Sequence, residues 1–129
     1  LDNFIRAKGA VYSGAATLIS SLGMSFSELD RVMIAGGIGN SVDIENSIII
    51  GLLPDIPRDK FSYIGNSSLI GSYLTLMSED ARKKMECIAS QMTYIELSVY
   101  PSYMDEFVSA CFLPHTNTDD FPSLSSLLG

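Results

Sequence analysis

From Asp2 to Leu22, Phe4, Ile5, Lys8, Val11, Tyr12, Ala15, Leu18, Ile19 and Leu22 recur at three- and four-residue spacing. That period predicts a helix packed through this largely apolar stripe. Small residues between Ala7 and Ala16 keep its surface thin, and Gly23 supplies a left-handed end. Ser25 and Glu28 stand at capping-box spacing over a short turn. Val32, Met33, Ile34 and Ala35 form an uninterrupted apolar run, which predicts a strand buried on both faces. A second helix is expected from Asp43 to Leu53, with Val42, Ile44, Ile48, Ile49 and Leu52 inward. Its isoleucines leave a buried strand over Ile48 to Leu52 as the alternative.

Phe61 to Ile64 reads as a second short strand, followed by a helix to about Ser78 that restarts at Ser-Glu-Asp and runs to Met92. Thr93 to Val99 alternates Ile95, Leu97 and Val99 with polar or aromatic residues, the period of a half-buried strand. Pro101 to Phe112 predicts a last helix with Tyr103, Met104, Phe107, Val108, Cys111 and Phe112 inward. Residues 1–116 then make one folded α/β unit, and residues 117–129, rich in serine, aspartate and proline, are expected to be a flexible tail.

Three glycines, Gly36, Gly37 and Gly39, follow the first strand, and the second helix starts just beyond Asn40. Strand, glycine turn and helix offer free N–H groups and a positive helix end to a nucleotide. A tight turn that needs glycine only for its geometry accounts for the same residues. A dinucleotide fingerprint fits poorly, because Val42 stands where the third glycine of Gly-x-Gly-x-x-Gly belongs. The third reading is an adenosine contact, with two glycines against base and ribose. On that reading a valine at Gly37 occupies the space of the base and is also strained at positive φ. Gly65 to Gly71 repeats the arrangement. Asn66, Ser67 and Ser68 stand at its helix start, where capping is the first expectation for the two serines and ligand contact the second.

The chain's 129 residues suit one domain, and 47% hydrophobic against 18% charged residues make it globular. A net charge of −7 argues against a nucleic-acid partner. No apolar run is long enough for a membrane span. Two cysteines, Cys87 and Cys111, are too few for a disulfide framework, suit a reducing cytoplasm, and read as small buried hydrophobes. The single histidine, His115, has no neighbour that makes it a ligand or base and reads as exposed. Neither a catalytic constellation, nor metal-ligand spacing, nor a Walker-type Gly-x-x-x-x-Gly-Lys occurs. The chain starts at Leu1 without methionine, and the expectation is a piece of a longer protein.

Several segments arrive together and in order: Ile5-Arg6-Ala7-Lys8-Gly9-Ala10, Ile34-Ala35-Gly36-Gly37-Ile38-Gly39-Asn40, Asp43-Ile44-Glu45-Asn46, Ile50-Gly51-Leu52-Leu53-Pro54-Asp55, Ile64-Gly65-Asn66-Ser67-Ser68-Leu69 and Met104-Asp105-Glu106-Phe107. The series resembles the C-terminal ATPase domain of the reductive activators of corrinoid proteins, within the acetate and sugar kinase, heat-shock chaperone and actin superfamily. The resemblance implies part of a ribonuclease-H-like, actin-like lobe: a short sheet with packed helices. It implies that Gly36, Gly37 and Gly39 line adenosine, with Asn40 near ribose or base, Lys8 approaching the adenine from the other side, and Ser67 and Ser68 at the same pocket. It further implies ATP with magnesium held by upstream parts, a [2Fe–2S] cluster elsewhere in the full-length protein, and a cytoplasmic corrinoid protein or methyltransferase as partner. Cob(II)amide would be returned to cob(I)amide, and this chain alone would not hydrolyse ATP. The alternative is a non-catalytic module, with a purely structural glycine turn, that forms a homodimer or docks on a partner.

Overall fold

A computed structural model of the chain describes residues 1–37 and 39–125, with Asn40 described by its backbone. Contacts divide it into two units. The first comprises Leu1–Val32, Asp43–Phe61 and Glu96–Gly129, and the second Met33–Val42 and Ser62–Ile95.

The first unit is built on α1 (Asp2–Ser21) and α5 (Tyr103–Ala110), with the short α2 (Ile44–Ile49) between them in sequence. The face that α1 buries is Lys8, Gly9, Tyr12, Ser13 and Thr17, while Phe4, Val11, Leu18 and Leu22 of the expected stripe are exposed. Close approach decides this: a Cβ at Gly9 would lie 3.0 Å from Cys111 Sγ. Only a thin face admits a neighbour at that distance. The core around it contains Tyr12, Ile48, Ile56, Phe61, Ala110 and Phe121. Met104 and Val108 on α5, and Phe112 just beyond its end, are exposed rather than inward.

α1 and α2 end alike. Gly23 N–H donates to Ser20 O and Met24 N–H to Ile19 O, with Gly23 at φ +68°. Gly51 N–H donates to Ile48 O and Leu52 N–H to Ser47 O, with Gly51 at φ +72°. Both are Schellman endings, which satisfy the last helical carbonyls only if one residue turns left-handed. Helix α2 thus stops short of the expected Leu53, and Ile48 to Leu52 forms no strand. Asp43 caps its start by accepting from Asn46 N–H at 2.8 Å.

Two further expectations are corrected here. Thr93 to Val99 is not a strand; Leu97–Val99 is a 3-10 turn in which the Glu96 carboxylate accepts from the Ser98 hydroxyl at 2.6 Å. Such a local bond competes with a ladder and wins where no neighbouring strand is paired. Nor is the segment after residue 116 loose throughout. Phe121 and Leu124 are buried, and Ser123 donates through both N–H and Oγ to Asp55 at 2.7 Å. Arg58 ties the same corner together, its guanidinium forking onto Glu45 at 2.8 and 3.0 Å and reaching Asp55 at 2.7 Å. Although burial pushes the Asp55 carboxyl up, the bonds from Ser123 and Arg58 outweigh it and hold the carboxyl below its usual range. Apolar residues spaced among serines made this docking hard to see. Leu127, once expected to fray with the rest, lies outside the described residues.

The second unit carries the sheet. β1 (Val32–Ala35) and β2 (Phe61–Gly65) pair in parallel, each entering this unit after its first residue. Along β1 half-buried Val32 and Ile34 alternate with exposed Met33 and Ala35, so the run is not buried on both faces. A helical hairpin follows: α3 (Ser67–Met77) and α4 (Glu79–Gln91), with Ser78 closing one helix and capping the next through Ala81 N–H. α3 is apolar around most of its circumference yet has no buried residue, and Leu76 is 76% exposed. Cys87 is exposed and Cys111 half-buried, so the first does not serve as a core residue.

Candidate functional site

The glycine loop and the second strand–helix turn stand side by side at the carboxyl ends of the two strands. Gly36 N–H donates to Gly65 O at 2.8 Å, extending the pairing past β1. Gly36 sits at φ +107° and Gly65 at φ +67°, conformations that glycine alone reaches without strain. Gly39 N–H then returns to Gly36 O at 3.1 Å, and Val42 N–H to Gly39 O at 3.1 Å, forming a 3-10 turn over Gly39–Ser41.

The loop therefore satisfies some amides internally and leaves one available. Gly37 N–H finds no acceptor among the described residues. A Cβ at Gly36 or Gly37 would meet nothing within 4 Å, so open space lies over both. Gly39 is different: a Cβ there would press on Ile34 Cγ2 at 3.2 Å, and the residue is buried. Its lack of a side chain is a matter of packing. Gly37 is not in a positive-φ conformation, so the strain expected there belongs to Gly36. Tyr63 closes the far side of the loop, its hydroxyl donating to Val42 O.

At the second turn Asn66 is the cap, accepting from Leu69 N–H at 3.1 Å. Neither Ser67 nor Ser68 caps the helix, and neither hydroxyl has a partner among the described residues. Both stand in the first turn of α3, beside Gly65, where helix N–H groups and the positive end of the dipole are concentrated. Gly36, Gly37, Gly39, Ser67 and Ser68 are thus brought to one edge of one unit. Asn40 joins them through its backbone in the 3-10 turn.

Lys8 is placed otherwise. It lies in the first unit, only 1% exposed, and its ammonium donates to the carbonyls of Ala110 at 2.5 Å, Pro114 at 2.6 Å, and Phe112. Burial pushes its pKa down to about 8, and the charge of Cys111 acts the other way. At neutral pH it keeps three protons, and all three are spent on carbonyls. Its ammonium has none left for a ligand, and the sequence carried no sign of this beyond a lysine within an apolar stripe. His115 is also corrected: it is buried, its Nδ1 accepting from Asn117 N–H at 3.0 Å and its Nε2 lying 3.3 Å from Glu106 Oε1. Among the described residues no group of three or more His, Cys, Asp or Glu is placed to hold a metal. Nor, among the described residues, is any helix long and apolar enough to cross a membrane.

Parallel strands with glycine turns at their carboxyl ends, each leading into a helix, define an α/β lobe. Residues 1–125 match the C-terminal domain of RACo, the ASKHA domain, and the chain belongs to that family. Its fold is accordingly that of an actin-like lobe. The chain is similar to a solved structure titled reductive activator for corrinoid, iron–sulfur protein. The match has 50% identity and a TM-score of 0.88, and covers 95% of this chain and 19% of the other. It is also 34% identical over 102 residues to the corrinoid activation enzyme RamQ of Eubacterium limosum, covering 79% of this chain and 17% of RamQ. The chain thus spans about a fifth of the length of the relatives it matches.

Proposed function

We propose that the carboxyl edge of the β1–β2 sheet is the adenosine side of an ATP site in a reductive activator of corrinoid proteins. Gly36 and Gly37 offer a surface without side chains to base and ribose, Gly37 N–H and the backbone of Asn40 offer polar contacts, and the free hydroxyls of Ser67 and Ser68 complete the edge. Gly39 acts indirectly, by letting the loop fold against Ile34. The single observation that supports this most is the open space over Gly36 and Gly37 beside an unpaired N–H. Lys8 is proposed as the residue that fixes the turn after α5, not as an adenine contact.

Phosphates and magnesium fall to other parts of the longer protein, because positioned charge around the terminal phosphate is what phosphoryl transfer requires. On this proposal the chain alone does not turn over ATP. In the full-length protein, nucleotide state would be coupled to electrons arriving through a [2Fe–2S] domain, returning cob(II)amide of a cytoplasmic corrinoid protein to cob(I)amide. The names of the two relatives, a corrinoid activation enzyme and a reductive activator for corrinoid, iron–sulfur protein, support the corrinoid-activation part of that assignment.

Titrating adenosine into the isotopically labelled chain, with amide resonances followed by NMR, tests the site. Saturable shifts are expected at Gly36, Gly37, Ser67 and Ser68. Saturable shifts confined to α1 and α5 would contradict it. A docking module with a structural glycine turn is the second reading, favoured by the apolar surface of the α3–α4 hairpin, where Leu74, Met85, Ile88 and Met92 line a groove. That reading predicts no shift at Gly37 on adding adenosine.

A further inference from the structure

The glycine loop is tied to the sheet at its start, its middle and its end. Gly36 N–H donates to Gly65 O at 2.8 Å, continuing the pairing of the strands. Gly39 lies against Ile34, where a Cβ would come within 3.2 Å of Cγ2. Val42 O accepts from the Tyr63 hydroxyl. The first two ties belong to the main chain of the loop itself, whereas the third rests on one side chain of β2. Val42 is also the last residue of this stretch before the chain leaves the second unit, so the Tyr63 bond fixes the point of exit. Tyr63 gains little by burial, since it is 42% exposed. Its bond stands open to water, which replaces such a donor readily, so it adds little to the stability of the whole chain.

What the bond governs is local. Resting on the reading of this edge as an adenosine site, we infer that Tyr63 is its positioning residue. The hydroxyl pins the exit of the loop, so that the open surface of Gly36 and Gly37 and the unpaired Gly37 N–H stay arranged for a ligand. The glycines make such a pin necessary. Gly36, Gly37 and Gly39 lose more backbone freedom on ordering than other residues do, so a loop built from them resists being fixed. A ligand's apparent affinity scales with the fraction of time its site is competent. A tie at the exit raises that fraction without touching the ligand. Without the hydroxyl, a loop competent about a tenth of the time binds about tenfold more weakly.

Tyr63→Phe in the isotopically labelled chain removes the hydroxyl and keeps the ring. The melting temperature should stay within about 2 °C of the parent, because the lost bond is exposed. Amide hydrogen exchange at Gly39 and Val42, whose N–H groups bond within the loop, should quicken by about fivefold or more. The Gly23 and Gly51 amides, bonded at helix ends in the first unit, should exchange as before. The dissociation constant for adenosine, followed by NMR, should rise about tenfold. Placing 4-aminophenylalanine at position 63 restores an N–H donor and should recover both protection and affinity, a recovery that follows the donor and not the ring. Unchanged exchange in Tyr63→Phe, faster exchange at all four amides, or no recovery with the amino group would overturn the inference. Adenosine affinity undiminished in Tyr63→Phe would overturn it alone and leave the site reading standing. No saturable adenosine binding by the parent would overturn the site reading, and the inference with it.

Discussion

Gly51→Ala should lower the melting temperature of the chain by about 10 °C or more, the largest effect expected of any single methyl group in it. Two costs fall on one atom. Gly51 sits at φ +72°, and an alanine held there costs about 1–2 kcal/mol. The new Cβ would also stand 2.1 Å from Pro114 O and 2.8 Å from its carbonyl carbon, both backbone atoms. No rotamer relieves a backbone clash, so α2 or the 110–114 turn must move, at about 1–3 kcal/mol more by analogy with overpacked cores. The turn is poorly free to move, because the Lys8 ammonium holds it from the other side. Thermal unfolding followed by circular dichroism measures the effect. A melting temperature within about 2 °C of the parent would show that this contact does not hold the first unit together.

Lys8→Met should cost about 3–5 kcal/mol, by removing one partner of a buried charged network while keeping most of the side-chain volume. What is lost is not packing but three hydrogen bonds, leaving the carbonyls of Ala110, Phe112 and Pro114 without their donor. The first and last of these bonds are buried, so water cannot easily replace the ammonium. Urea unfolding should show a clearly lower midpoint with an unchanged slope. An unchanged midpoint would mean that the carbonyls find other partners. The two variants act on the same turn, so their costs should not add in a double variant.

These two sites also show how far the sequence was legible. Helix starts and ends were readable wherever a single residue type has a strong local reason to be there. Gly23, Asp43, Gly51, Gly65 and Ser78 all mark boundaries as composition and spacing indicate. The glycine loop was legible for the same reason. Illegible were the choices made by tertiary contact. The bulky stripe of α1 looked like its core, but α5 approaches Gly9 and selects the thin face instead. Thr93 to Val99 alternates as a strand does, yet alternation alone supplies no neighbour to pair with. His115, Phe121 and Ser123 looked peripheral because their partners Tyr12 and Asp55 lie far off in sequence. Within the candidate site, the capping role moved from the serines to Asn66, and the ammonium of Lys8 proved to be occupied.

The central claim is that the open glycine surface receives adenosine, and Gly37→Val addresses it with little confusion from folding. The position is outside the positive-φ region and a Cβ there meets nothing within 4 Å, so a valine should be accommodated by the fold. Calorimetric titration of ATP with magnesium into the full-length protein carrying this substitution is the decisive measurement. A folded variant whose affinity falls by about 100-fold, equivalent to about 2.7 kcal/mol, is the predicted result. An unchanged dissociation constant in a folded variant would contradict the account.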